Sequence, residues 1–449
     1  MKFWHKLCRL AFGATIMRIV KNKKTRQKNL LHLLNIAKKF MGNTYSEAFY
    51  ENAGKLICEK DSKWMMFTDK LLDETHPRVI RKHVLNVGYE AIFHGIHRVA
   101  KMSKLHDCTV PWAILMDPTS ACNLKCEGCW AAQYGHKVSL SYDDLDRIVS
   151  QGKELGCYFY LYTGGEPLVR KADLIRLCDV HKDCIFHAFT NGTLINDAFC
   201  KEMVRVGNLS LSISLEGFSE TNDARRGAGT FDKVMASMDL LKKHRLFFGA
   251  SVCYTSKNID SVTSDEFFDM MIEKGCRFAW YFHYMPIGSE ARPELLPTKE
   301  QREHMYHRIR EIRDLKGGKS IFAIDFQNDG EFVGGCIAGG RVYLHINANG
   351  DVEPCVFIHY SSANIKEVSL LDALKQPLFR AYRRNQPFNK NHLRPCPMLE
   401  NPELLQSMVK ASGAASTDLQ SPEPVESLCG KCSEYAAVWK EKAEELWTK

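Results

Sequence analysis

Cys122, Cys126 and Cys129 are spaced C-x3-C-x2-C in the run Ala121-Cys122-Asn123-Leu124-Lys125-Cys126-Glu127-Gly128-Cys129-Trp130, with no fourth cysteine nearby. Three thiolates can hold three irons of a [4Fe–4S] cubane and leave the fourth iron without a protein ligand. Clusters that only carry electrons are usually held by four thiolates. A missing ligand opens a metal to an outside molecule, as in catalytic zinc sites. The triplet alone also allows a zinc site completed by a distant Cys or His. Its flanks weigh against zinc. Ala113-Ile114-Leu115-Met116 is a short apolar run ending at Asp117-Pro118, which reads as a buried strand running into a loop. The triplet therefore sits past the C-terminal end of a strand, where α/β folds place their chemistry. A second apolar run, residues 157–162, is followed by Thr163-Gly164-Gly165-Glu166-Pro167. Two glycines let the backbone approach a bound molecule, Glu166 adds a carboxylate, and Pro167 fixes the turn.

Together these motifs resemble the radical S-adenosylmethionine superfamily, over residues 112–288. The resemblance implies a partial (β/α)6 TIM-like barrel. It implies a [4Fe–4S] cluster on Cys122, Cys126 and Cys129 whose open iron chelates S-adenosylmethionine. One electron then cleaves the sulfonium, and the 5′-deoxyadenosyl radical removes hydrogen from an unactivated C–H bond. Other positions are carried over from the same resemblance. Gly164, Gly165 and Glu166 match the motif that meets the amino group of S-adenosylmethionine. Thr190-Asn191-Gly192 matches a strand ending in T-N-G, which makes Asn191 a cofactor candidate. Ser214 and Glu216 match a strand that often reads S-x-D-G, with Glu one methylene longer than Asp. Arg225, in Arg225-Arg226-Gly227, matches a loop that can neutralise the methionine carboxylate. Met285-Pro286-Ile287-Gly288 fits the loop after the last barrel strand.

A second cysteine set lies further on: Cys336, Cys355, Cys396, and Cys429 with Cys432 in Cys-Gly-Lys-Cys. Residues 342–355 read as a hairpin turning at Asn349-Gly350. Hairpin and cysteines are similar to the SPASM and twitch extensions, which hold auxiliary [4Fe–4S] clusters. Five cysteines suffice for one four-thiolate cluster and leave one over; C-x2-C serves zinc equally well.

The 449 residues allow two or three domains. Residues 1–106 read as helical, 107–315 as the barrel core with strand–helix alternation, and 316–449 as the cysteine-rich extension. Residues 412–426 read as an irregular loop. Of the 17 cysteines, Cys157, Cys178, Cys253 and Cys276 sit in apolar surroundings and are expected to be inert core residues. A disulfide framework and a transmembrane helix are not expected. The net charge of +8 concentrates in the N-terminal segment. There Phe3, Trp4, Leu7 and Leu10 interleave with basic residues, followed by Arg18, Lys21, Lys23, Lys24, Arg26 and Lys28. Such a helix can lie on an anionic membrane or pack its apolar face on the barrel. No nucleic-acid reader motif accompanies it.

The expectation is a cytoplasmic enzyme, peripheral on the inner face of the membrane if the N-terminus docks there. It would draw on a one-electron donor such as flavodoxin or ferredoxin. The first substrate reading is a lipid or other membrane-associated molecule; the alternative is peptide or protein modification; the third is a non-enzymatic iron–sulfur or zinc module. Tyr134, Tyr281, His283, Tyr284 and Asp325 are weaker candidates for facing the substrate.

Overall fold

A computed structural model describes residues 2–41, 47–59, 62–135, 137–288 and 290–448. Seven strands run parallel: β1 (Ala113–Met116), β2 (Phe159–Tyr162), β3 (Ile185–Thr190), β4 (Leu209–Ser214), β5 (Phe248–Tyr254), β6 (Phe278–His283) and β7 (Phe322–Asp325). β8 (Tyr343–Ile346) pairs parallel with the free side of β1, and β9 (Val352–Glu353) returns antiparallel on β8. The sheet order is β7-β6-β5-β4-β3-β2-β1-β8-β9. The expected six-strand core thus gains a seventh parallel strand at one edge, and the C-terminal hairpin extends the other.

Helices cover the convex face, and the sequence sets their ends. Helix Tyr142–Leu155 opens on a Ser141/Asp144 capping box and closes on Gly156 at φ 105°. Tyr160 and Tyr162 of β2 are buried beneath such helices, and Tyr160 donates to the Val149 carbonyl at 2.9 Å. The concave face is marked by rings that meet across it. Phe189 of β3 lies 5.3 Å from Trp280 of β6, although two strands separate them in the sheet.

The N-terminal block is helical, with no strand among its described residues. It packs against the segments that lead into the strands. Asn86 donates to the Cys184 carbonyl at 2.6 Å, the His76 amide to the Arg245 carbonyl at 2.7 Å, and the Trp112 indole to the Ala91 carbonyl at 3.0 Å. The block therefore closes the end of the barrel opposite the strand C-termini. In the first helix, Lys2–Lys21, Ile16, Ile19 and Val20 pack with Ile80. Arg9 pairs with Glu90 at 2.6 Å, and buried Arg26 with Asp69 at 2.5 Å and Asp73 at 2.9 Å. Part of the expected basic face is thus used internally, whereas Leu7 and Leu10 stay exposed. The side chains of Phe3 and Trp4, on which the amphipathic reading also leans, lie outside the described residues. No described helix is long and apolar enough to cross a membrane.

Candidate active site

The loop after β1 is shaped by the loop after β2. The Gly165 amide donates to the Thr119 carbonyl at 3.0 Å, and the Glu166 amide to the Ala121 carbonyl at 2.8 Å. A Cβ on Gly165 would stand 2.3 Å from the Ala121 oxygen and 2.4 Å from that of Ser120, so only glycine allows this approach. Gly164, at φ 100°, turns the chain into it. The Glu166 carboxylate points inward: it accepts from the Thr190 hydroxyl at 2.7 Å, the Asn191 amide at 2.8 Å and the Leu168 amide at 2.9 Å. Burial pushes Glu166 above the usual carboxylate range. The Glu166 carboxylate thus joins the second and third strand ends.

The third strand end grips the cysteine loop in turn. Asn191 donates to the Asn123 side chain at 2.9 Å, and Asn123 to the Thr193 hydroxyl at 2.8 Å. Asn123, between two cluster cysteines, was legible only as part of the motif. From the far wall, the Tyr284 hydroxyl comes so close that a Cβ on Gly128, at φ 63°, would lie 2.7 Å from it.

Cys122, Cys126 and Cys129 are all partly exposed. The Leu124 amide donates to the Cys122 sulfur at 3.4 Å, and Arg226 Nη1 lies 4.0 Å from the Cys126 sulfur. Burial pushes the Cys122 thiol up to about 11, so its thiolate needs a cation beside it.

Glu216 is fully buried, and its Oε1 accepts from Arg225 at 2.9 Å and Arg226 at 2.5 Å. Arg225, expected in a loop, stands at the end of helix Ser219–Arg226 and donates to the Glu127 carbonyl at 3.3 Å, which docks that helix end on the cysteine loop. Burial alone would lower the Arg225 pKa, but Cys253, Glu216 and Cys126 outweigh it and hold the guanidinium charged. Glu216 thus anchors two cations beside the cysteines. Its second oxygen, Oε2, has no hydrogen-bond partner among the described residues. Ser214 is half-buried at the end of β4. Cys253, expected in the inert core, is half-buried beside Arg225.

Of the weaker candidates, Tyr284 stands against Gly128 of the cysteine loop, and the others lie elsewhere. The Tyr281 hydroxyl donates to the Val262 carbonyl at 2.8 Å, toward the outer helices. His283 bonds the Tyr435 hydroxyl at 2.6 Å, and burial holds it neutral. Asp325 is buried with the Tyr254 hydroxyl at 3.1 Å and Asn328 at 2.7 Å, and burial raises it to about 6. Tyr134 is buried with its hydroxyl on Glu353 at 2.8 Å.

That last contact belongs to a network the sequence did not disclose. His345 of β8, fully buried, lies with Nε2 3.0 Å from Asp117 Oδ1 and Nδ1 2.6 Å from Glu353 Oε2. Burial lowers an imidazolium, but the two carboxylates override it and raise His345 to about 10. Trp130, next to Cys129, sets its ring edge-on to His345 at 6.0 Å and to Phe357 at 6.2 Å. The β1 end, the cysteine loop and the C-terminal hairpin meet here.

Cys336, Cys355, Cys396, Cys429 and Cys432 share one packed region. The Phe357 amide donates to the Cys355 sulfur and the Leu399 amide to the Cys396 sulfur, both at 3.4 Å. Such bonds tune thiolate ligands of clusters. Glu400 accepts from the Cys396 amide at 2.6 Å and pairs with Arg302 at 2.8 Å, both side chains fully buried.

Residues 116–271 match the Radical SAM superfamily, and residues 336–398 match the SPASM iron-sulfur cluster-binding domain. The chain carries a Radical SAM domain and a SPASM domain, which imply a [4Fe–4S] cluster, S-adenosylmethionine and auxiliary iron–sulfur binding, and its homologues with these domains are enzymes. It is similar to the AdoMet-dependent heme synthase of Methanosarcina barkeri, 23% identical over 354 residues, which cover 73% of this chain and 90% of that protein. It is similar to the PqqA peptide cyclase of Gluconobacter oxydans, 23% identical over 328 residues, covering 69% and 89%. In fold it is similar to Streptococcus suis SuiB bound to precursor peptide SuiA, with a TM-score of 0.53 and 18% identity over 74% of this chain and 80% of that one. The enzyme reading holds over the carrier reading. A lipid or membrane-associated substrate draws no support from these relatives, among which the peptide cyclase, but not the heme synthase, is named for a peptide substrate.

Proposed function

We propose that this enzyme abstracts a hydrogen atom from an unactivated carbon of a peptide or protein. The observation that carries the reaction is the three-cysteine loop seated on the Gly164–Glu166 turn, with Arg225 and Arg226 beside it. Cys122, Cys126 and Cys129 would hold the cluster. The Gly164 and Gly165 backbone would meet the amino group of S-adenosylmethionine, Ser214 would lie toward its ribose, and Asn191 would support the cysteine loop through Asn123. Glu216 fixes the two arginines beside the cysteine loop, where their positive charge would neutralise the methionine carboxylate. One-electron cleavage of the sulfonium is the chemistry this cofactor pair supplies; the chain binds, orients and shields it. Four of Cys336, Cys355, Cys396, Cys429 and Cys432 would hold an auxiliary cluster. A flavodoxin- or ferredoxin-type protein would deliver the electron.

The peptide substrate is supported by the named peptide cyclase and by the likeness to peptide-bound SuiB. A lipid chain is the second reading, favoured by Leu7 and Leu10, 42% and 63% exposed on the basic first helix. The position of that helix, at the barrel end away from the cysteines, makes it the lesser one. The test is anaerobic. Reconstituted protein with dithionite and S-adenosylmethionine should release 5′-deoxyadenosine, and a peptide fraction of cell extract should raise the rate. Stimulation by the lipid fraction instead would select the second reading; no 5′-deoxyadenosine from protein with an intact cluster would reject both.

A further inference from the structure

We propose that His5, Glu90 and His94 form a zinc site that fastens the first helix to the segment closing the barrel end. The inference stands apart from the reaction proposed above: the His94 ring lies 5.7 Å from that of Tyr158, just before β2, at the barrel end away from the cysteines. The sequence sets the meeting. His5, Arg9, Phe12, Gly13 and Ile16 recur at helical spacing and share one face of helix Lys2–Lys21. That face runs antiparallel along residues 80–94. Ile16 packs with Ile80, a Cβ on Gly13 would lie 3.5 Å from Leu85, and Arg9 donates to the Asn86 side chain at 2.8 Å. One turn before Arg9, His5 meets Glu90 and His94.

Glu90 and His94 are four residues apart in Val84–Gly95, a widened π-helical segment, and lie side by side on it. Glu90 is buried. Arg9 takes its Oε1 at 2.6 Å, which leaves Oε2 for the histidines. His5 Nε2 is 3.2 Å from Oε2 and His94 Nδ1 is 4.0 Å from it, and the three atoms lie within 4.8 Å of one another. The two imidazole rings are 4.7 Å apart and tilted by 57°, not stacked. Ligand atoms about 2.1 Å from a tetrahedral zinc stand about 3.4 Å apart, close to the separation of His5 from Glu90. His94 has further to come, and its half-buried ring has room to turn.

The hydrogen bonds around the three groups favour a metal. The Tyr89 hydroxyl donates to the His5 carbonyl at 3.2 Å, and its oxygen lies 3.4 Å from His5 Nδ1. With the ring proton on that nitrogen, the Nε2 lone pair faces a carboxylate oxygen. Ligating histidines are commonly fixed through their other nitrogen in this way. His94 Nδ1 has no hydrogen-bond partner among the described residues. A single proton between His5 and Glu90 would leave His94 unserved, whereas one divalent cation satisfies all three atoms. Two imidazoles and a carboxylate, with no thiolate, are a zinc ligand set that keeps a fourth position for water. The Arg9 charge opposes the cation, so the affinity is expected to be modest.

The test is zinc binding by the full chain with its iron–sulfur clusters loaded, so that the cluster cysteines are occupied. Anaerobic protein is dialysed against micromolar zinc chloride, and zinc and iron per chain are counted by mass spectrometry. The wild type should retain one zinc, and the zinc K-edge absorption should show a nitrogen and oxygen shell with imidazole scattering and no sulfur. His94→Gln and His5→Gln should each weaken retention about tenfold or more, a change of about 1.4 kcal/mol. His307→Gln, at an exposed histidine elsewhere, should not. Zinc should also slow tryptic cleavage within residues 1–28 of the wild type and leave the rate unchanged in His5→Gln. Far-UV circular dichroism checks each variant; if His94→Gln misfolds, His5→Gln on the outer helix carries the comparison. No retained zinc, a sulfur-containing shell, or equal retention by His5→Gln would overturn the site. None of these results bears on release of 5′-deoxyadenosine, which tests the reaction separately.

Discussion

Replacing His345 by Leu removes the cation held between two fully buried carboxylates. Asp117 and Glu353 lie 3.0 and 2.6 Å from its ring nitrogens. Breaking a buried pair by deleting one partner costs about 3–5 kcal/mol, because the remaining charge is uncompensated. The two carboxylates are not equally stranded. Glu353 keeps Tyr134, Asn347 and Thr417 as donors. Asp117 has an Oδ2 without a partner among the described residues. Adding Asp117→Asn to the His345→Leu variant should therefore recover more than adding Glu353→Gln. The pH dependence has a definite sign. A histidine raised from 6.5 to about 10 in the fold stabilises fully below pH 6.5, and that contribution fades as pH rises toward 10. Anaerobic urea unfolding, compared by midpoint at constant slope, measures each quantity. A loss under about 1 kcal/mol for His345→Leu, or equal recovery from the two second substitutions, would refute the reasoning.

Arg302→Met leaves Glu400 buried without its cation; unfolding should show a loss of about 3–5 kcal/mol, and iron per chain should drop because Glu400 holds the Cys396 amide. Gly165→Ala places a methyl 2.3 Å from a backbone oxygen; far-UV circular dichroism should hold while S-adenosylmethionine binding weakens about tenfold or more by equilibrium dialysis, a change of about 1.4 kcal/mol. Arg226→Met takes a cation from beside the Cys126 sulfur; since positive charge favours the reduced cluster, its midpoint potential should become more negative, and Arg226→Lys should restore most of it in an EPR-monitored titration.

Local motifs were the readable part. The cysteine triplet and the Gly164–Glu166 turn declare themselves because each is continuous in sequence. Orientation was harder. β6 is flanked by packing on both faces, so Phe278–His283 shows no polar–apolar alternation. The sequence offered Tyr281, His283 and Tyr284 only as weak cavity candidates; along β6 the fold turns Trp280 and Phe282 inward, the opposite set to Tyr281 and His283, while Tyr284 beyond the strand stands against Gly128. The role of Glu166 was hidden because its partners, Thr190 and Asn191, come from another strand end. The Asp117–His345–Glu353 network joins residues more than 200 positions apart. Only the pairing of β8 with β1 brings them together, and no periodicity announces that pairing.

The central claim is a cluster with one coordination position left for S-adenosylmethionine. The most direct measurement is the EPR spectrum of anaerobic, dithionite-reduced protein before and after that cofactor is added. A reduced [4Fe–4S] signal that shifts on addition, and is lost when Cys122, Cys126 and Cys129 are replaced by Ala, is the predicted result. A cluster signal that S-adenosylmethionine leaves unchanged, or one that survives those substitutions as the only signal affected by the cofactor, would contradict it.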